Sequence, residues 1–126
     1  MTLAHKIVLL GLLGLLGVSL LVPGVMNVVR KGEGTVWLVA ETIDAKNHLR
    51  ALNAMMAALG AIALWACWDL ERARLAVIGL GVVMAALVLA RVYSIAVDGW
   101  PGPTTLIYLA IESAMAAVFL VWPPPG

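Results

Sequence analysis

What this chain lacks most is charge. Asp, Glu, Lys and Arg make up 12% of its residues, about half the share of an ordinary soluble domain. The formal net charge of +1 excludes the clearly basic surface that nucleic-acid binding requires. A single cysteine, Cys67, excludes an internal disulfide, a CxxC redox pair and a thiolate metal site. Neither a glycine-rich phosphate loop nor a dinucleotide fingerprint occurs, so no cofactor is expected. Hydrocarbon takes the place of all these: 63% of the 126 residues are hydrophobic and the mean hydropathy is +1.05. That balance belongs to an integral membrane protein.

About twenty apolar residues cross the hydrocarbon core of a bilayer, and four stretches meet this length. The first runs from Ile7 to Val29. His5 and Lys6 ahead of a leucine-rich run imitate a secretory signal. The run is longer than a signal's apolar region, however, and no small-x-small cleavage site follows it. It reads as a retained span, kinked near Pro23. The others extend over about 48–68, 75–97 and 104–122, the last stopped by Trp122-Pro123-Pro124-Pro125-Gly126. Short connections between them predict an all-α fold, an antiparallel four-transmembrane-helix bundle forming a single domain over 1–126. Gly11, Gly14 and Gly17 in the first span, and Gly79 and Gly81 in the third, supply small faces for close helix packing.

Between the first two spans the apolar pattern breaks. Arg30, Lys31, Gly32 and Gly34 mark a turn, and Thr35 to Ala45 reads as a short interfacial segment with Trp37 at headgroup level. Glu41, Asp44 and His48 approach metal-ligand spacing. A solvated helix start accounts for them better, and no metal site is assigned. Asp69 to Arg74 is read as a solvated polar turn.

The polar residues inside the spans are not scattered. The third span leaves the membrane through Arg91, Tyr93, Ser94 and Asp98, turns on Gly99-Trp100-Pro101-Gly102-Pro103, and the fourth returns through Tyr108 to Glu112. Arg91 lies about 10 Å of helical rise below Asp98, and Glu112 about 12 Å below Thr104, so the two can face each other at one depth. With four spans the first and third loops share a side, so Arg50 and Asn53 enter the membrane where Asp98 leaves it. Arg50, Asn53, Arg91, Asp98, Tyr108 and Glu112 are thus the candidate ligand-binding cluster, confined to one leaflet, with Gly99 and Pro101 shaping the turn. An ionisable residue inside hydrocarbon is rare, and marks a functional site unless it only fixes helix register. Both readings of Arg91 with Glu112 stay open at this level. No catalytic residue is assigned.

Three segments carry a resemblance: HLRALNAMMAALG opening the second span, LARVYSIAVDGWPGP closing the third, and LAIESAMAAV in the fourth. The chain resembles a bacterial family of small four-span membrane proteins catalogued as a domain of unknown function, number four-three-four-five. Arg50, Arg91, Asp98, Gly99, Pro101 and Glu112 match its pattern. Ala90 stands where glycine is expected, and Asn53-Ala54 where an aromatic-glycine pair is commoner. The resemblance covers the chain from His48 onward, the first span agreeing in character. It implies the four-span fold and no activity, together with a multi-pass place in the bacterial inner (cytoplasmic) membrane. Positive residues are almost evenly split between the two sides, and the short positive N-terminal flank with Lys6 tips the expectation to both termini in the cytoplasm. At the level of fold the chain is also distantly similar to DoxX-like and sterol-scaffold four-span proteins.

Three functions fit these residues. The first is a non-catalytic accessory or scaffold subunit of a membrane complex, holding a lipid or quinone headgroup at the polar cluster. The second is a proton-coupled transporter of small molecules acting as a dimer, with Glu112 as the carboxyl. The third is an enzyme modifying an isoprenoid or sterol-like lipid through Glu112 or Asp98. The expected partners are membrane lipids, including a quinone or isoprenoid lipid, and a homo-oligomer or larger membrane complex.

Overall fold

In hydrocarbon a backbone N–H or C=O finds no water, so a spanning segment must satisfy its own hydrogen bonds. The computed structural model meets that demand with helices, and describes residues 1–29 and 41–126. Four helices are long and apolar enough to span a membrane: α1 (Leu3–Val29), α2 (Ile43–Trp68), α3 (Arg74–Asp98) and α4 (Pro103–Val121). There is no strand among the described residues. Most of the expected interfacial segment, with Trp37, lies outside the described residues. Its last residues, from Ile43, open α2 itself. Thr42 explains the early start: its hydroxyl accepts the Ala45 N–H at 3.0 Å and its carbonyl accepts the Lys46 N–H at 3.0 Å. It caps the helix so that α2 begins at Ile43, five residues before His48.

The described chain falls into two compact units, Leu13–Trp68 and Met1–Leu12 with Asp69–Gly126. In the first, α1 and α2 meet through glycine. A Cβ placed on Gly60 would lie 2.6 Å from the Leu21 nitrogen and 2.7 Å from the Gly17 carbonyl oxygen. One placed on Gly24 would lie 2.8 Å from the Asn53 carbonyl oxygen. The partners descend α2 as they ascend α1, as in a hairpin. α1 continues through Pro23, which has no N–H for the Ser19 carbonyl.

The expected GLLGLLG packing stripe is corrected to its last residue. Gly17 packs on Leu64 and Gly60, whereas a Cβ on Gly11 or Gly14 would meet nothing within 4 Å among the described residues. Helical geometry gives the reason. Each step of three residues lags a full turn by about 60°, so Gly11 stands about 120° round the helix from Gly17. Gly24, seven residues on, returns to the Gly17 face. The same sorting occurs in α3, where Gly81 packs on Phe119 and Leu120 and Gly79 meets nothing.

In the second unit α3 and α4 share an apolar seam. Val77, Leu80, Gly81 and Met84 are buried on α3, and Met115, Ala116 and Phe119 on α4. The far end is tied by polar contacts. Arg74 donates from Nη1 to the Pro124 carbonyl at 2.9 Å, and Leu70 and Ala73 are buried, so the Asp69–Arg74 connection is more than a solvated turn. It holds a short 3₁₀ turn over Leu70–Arg72. His5 is buried, stacks on the Trp122 ring with centroids 4.1 Å apart, and donates from Nε2 to the Trp122 carbonyl at 2.6 Å.

Replacing Gly60 with alanine sets a methyl against backbone that cannot yield, and is expected to destabilise by about 1–3 kcal/mol. Gly14→Ala, made in open space, is expected to be neutral or to stabilise by up to about 1 kcal/mol. Unfolding in mixed detergent micelles, followed by circular dichroism, separates the two.

Candidate functional site

The α3–α4 seam stops being apolar two turns beyond Met84. Seven residues on from Met84, on the same helix face, is Arg91; seven residues before Phe119 is Glu112. The two meet as a bidentate pair, Arg91 donating from Nε to one Glu112 carboxylate oxygen at 2.5 Å and from Nη2 to the other at 2.8 Å. The parallel fork-to-fork arrangement is the strongest geometry available to these groups. Glu112 is the more enclosed partner, its side chain 15% exposed against 32% for Arg91. The Tyr108 ring, one turn before Glu112, lies 6.0 Å from the Arg91 guanidinium carbon, at the outer limit of a cation–π contact.

The turn that brings these residues together depends on one backbone conformation. Gly99 caps α3 with φ +100° and ψ −176°, a region open essentially to glycine alone, and its N–H returns to the Ile95 carbonyl at 3.0 Å. Pro103 then starts α4 at a position where its missing N–H costs nothing. Asp98, the last residue of α3, accepts the Ser94 hydroxyl at 3.0 Å and is exposed.

Beside the ion pair, within this hairpin, is an open cleft of about 310 Å³. Its α3 wall is built from Leu87, Ala90, Arg91, Ser94 and Ile95, and its α4 wall from Thr105, Leu106 and Leu109. Gly99 and Pro101 close its turn end. The polar groups on the walls are the Arg91 guanidinium and the Ser94 and Thr105 hydroxyls. The lining does not include Glu112 or Tyr108: Arg91 faces the cleft and Glu112 holds Arg91 from the seam.

The six residues expected to form the cluster divide as follows. Arg91, Glu112 and Tyr108 come together, and Asp98 joins through Ser94. Asn53 and Arg50 belong to the other unit. There Asn53 is buried, donates to the Leu49 carbonyl at 2.8 Å and accepts from Asn27 Nδ2 at 3.3 Å. Arg50 is exposed on the second turn of α2. Glu41, Asp44 and His48 form no metal-binding group among the described residues. The apolar walls, Leu87, Leu106 and Leu109, escape sequence reading because a leucine lining a cleft and a leucine facing lipid look alike.

The family model described as Domain of unknown function (DUF4345) matches residues 8–123. The chain belongs to this family. The match takes in α1 as well as the three later helices, and so reaches further toward the N-terminus than the resemblance from His48 onward. Comparison with curated proteins and with solved structures finds no match. Arg91, Glu112 and the Gly99 turn of this family member therefore have to be read from their own chemistry.

Glu112→Gln leaves a half-buried guanidinium with one neutral acceptor, and is expected to destabilise by about 1–3 kcal/mol. The volume-matched Arg91→Met, Glu112→Leu double variant is expected to recover most of that loss, since no charge is left unpaired. A double-mutant cycle of detergent unfolding checks both. Gly99→Ala adds strain with no steric contact and is expected to destabilise by about 1–3 kcal/mol, read in the same assay.

Proposed function

We propose that this protein is a non-catalytic accessory or scaffold subunit of a membrane complex, and that its α3–α4 cleft holds the polar head of a lipid or quinone. The observation that carries the reading is the position of Arg91, fixed at two points by Glu112 while lining a cleft with apolar walls. A pair needed only to set helix register has no call for a cleft beside it with two hydroxyls on its walls. Apolar lining with a few fixed polar groups is the usual make-up of a small-molecule site, and about 310 Å³ is enough for a head rather than a whole lipid.

The accessory role draws support from the helix surfaces. At most 28% of the apolar stretch of any helix is buried inside the chain, leaving broad faces for lipid and partner helices. Gly11, Gly14 and Gly79 lie open on those faces. The bidentate grip of Arg91 on Glu112 weighs against a proton-coupled carrier, because a carboxyl that loads a proton must give up one of these bonds in every cycle. It weighs equally against Glu112 as a general acid, since the carboxylate is turned to Arg91 and not to the cleft.

The test is native mass spectrometry of the full chain released from nanodiscs made with its native membrane lipids. Wild-type protein is expected to retain one lipid through collisional stripping, and Ala90→Trp, which fills the cleft while keeping both members of the ion pair, is expected to retain none. Equal retention by both proteins would remove the cleft as the binding site.

A further inference from the structure

The cleft also carries information on what kind of head it accepts. We infer that it selects a lipid whose polar end is an uncharged carbonyl oxygen, over one with an anionic or cationic headgroup. The inference rests on the reading that the cleft holds a lipid head, and adds the chemistry of that head.

Arg91 has donors to spare. A guanidinium has five N–H groups in a fixed plane and no acceptor. Glu112 engages the Nε–H and one Nη2–H, and among the described residues Arg91 has no other acceptor. Three charged N–H donors therefore remain on a side chain that lines the cleft, in surroundings where an unmet donor is costly. A ligand suited to this place must bring an acceptor oxygen. An amine headgroup brings none.

The local charge does not favour an anion. Arg91 is neutralised by Glu112, and a second carboxylate, Asp98, is tied to the Ser94 hydroxyl on the cleft wall. The three formal charges sum to −1 around the cleft. Its titratable neighbours on α3 and α4 otherwise are Tyr93 and Tyr108, which add no positive charge at neutral pH. A phosphate would meet repulsion from two carboxylates and would have to displace Glu112 to gain a free arginine. An uncharged carbonyl accepts from the spare N–H groups with the ion pair intact.

Arg91 also lies deeper than a phosphate layer. Trp100 at the turn is 80% exposed, as suits a ring at headgroup level. Arg91 is eight residues before Gly99, about 12 Å of helical rise below the turn. Each interfacial layer of a bilayer is about 5–8 Å thick, so the arginine lies beneath the phosphates, where ring or ester carbonyls reside. The apolar residues further along the wall, Leu87 and Leu109, then meet the hydrocarbon part of the same molecule.

A carbonyl of this kind is found on a quinone ring or on an acylglycerol ester, and the experiment distinguishes them. The full chain is placed in phosphatidylcholine nanodiscs doped separately with a decyl-benzoquinone, a diacylglycerol or phosphatidylglycerol, and retention is read by native mass spectrometry. Wild-type protein is expected to retain at least one of the two uncharged probes at least about tenfold better than phosphatidylglycerol, the scale of one hydrogen bond to a charged donor. The better-retained probe names the source. The Arg91→Met, Glu112→Leu variant, which keeps the volume and removes the donors, is expected to lose that preference, with its helix content by circular dichroism as the folding control. Retention of phosphatidylglycerol equal to or above the uncharged probes, abolished by Ala90→Trp, would overturn the carbonyl class while leaving the cleft as a lipid site. A preference unchanged in the Arg91→Met, Glu112→Leu variant would overturn the role of the arginine donors. No probe retained in a manner sensitive to Ala90→Trp would overturn both readings.

Discussion

Taking a guanidinium and a carboxylate out of water is so unfavourable that each calls for a partner of opposite charge. The bidentate contact of Arg91 with Glu112 answers that constraint, and the α3–α4 hairpin is arranged around it. Because the two residues are each seven positions from a buried seam residue, pairing them also fixes which turn of α3 faces which turn of α4. A slip by one turn would bury two unpaired charges and pull Gly81 away from Phe119 and Leu120. The ion pair and the glycine contact thus specify the same register from opposite ends of the seam.

The two hairpins solve the packing problem differently. α1 and α2 approach through glycine, with backbone against backbone at Gly17, Gly24 and Gly60, and Asn27 donates to Asn53 across them at 3.3 Å. Without a hydrophobic force between helices in lipid, such close approach and its dispersion energy hold the pair. α3 and α4 use larger side chains, then a charged pair, and finish with polar ties from Arg74 and His5 to carbonyls of the C-terminal segment. The cleft lies in the hairpin whose helices are held apart by larger side chains.

The membership of this chain in a family without an assigned activity puts the weight of interpretation on that hairpin. Its polar groups are few and each has a structural reason to be where it is: Glu112 orients Arg91, Asp98 engages Ser94, and Gly99 sets the turn. The carboxylate inside the seam, Glu112, has both oxygens on Arg91.

The four helices, their membrane character and the shared depth of Arg91 and Glu112 were legible in the sequence, whereas their bidentate pairing was one of two readings it left open. Hydropathy over twenty residues and charge in an apolar run are local properties, and the short Gly99–Gly102 turn leaves the two ionised residues few other partners. The start of α2 was misplaced because a threonine cap acts through two hydrogen bonds and leaves almost no mark on hydropathy. Which glycines pack could not be read from GLLGLLG, since the 3.6-residue period sorts identical residues onto different faces and only the neighbouring helix decides which face is covered. His5 looked like a signal-type flank because nothing in its surroundings in sequence announces a stacking partner 117 residues away. The cleft, and the fact that Arg91 faces it while Glu112 supports from behind, exist only in the folded hairpin. Composition determined what this protein is made to live in. Side-chain packing between two helices decided where, within it, a cleft opens beside the ion pair.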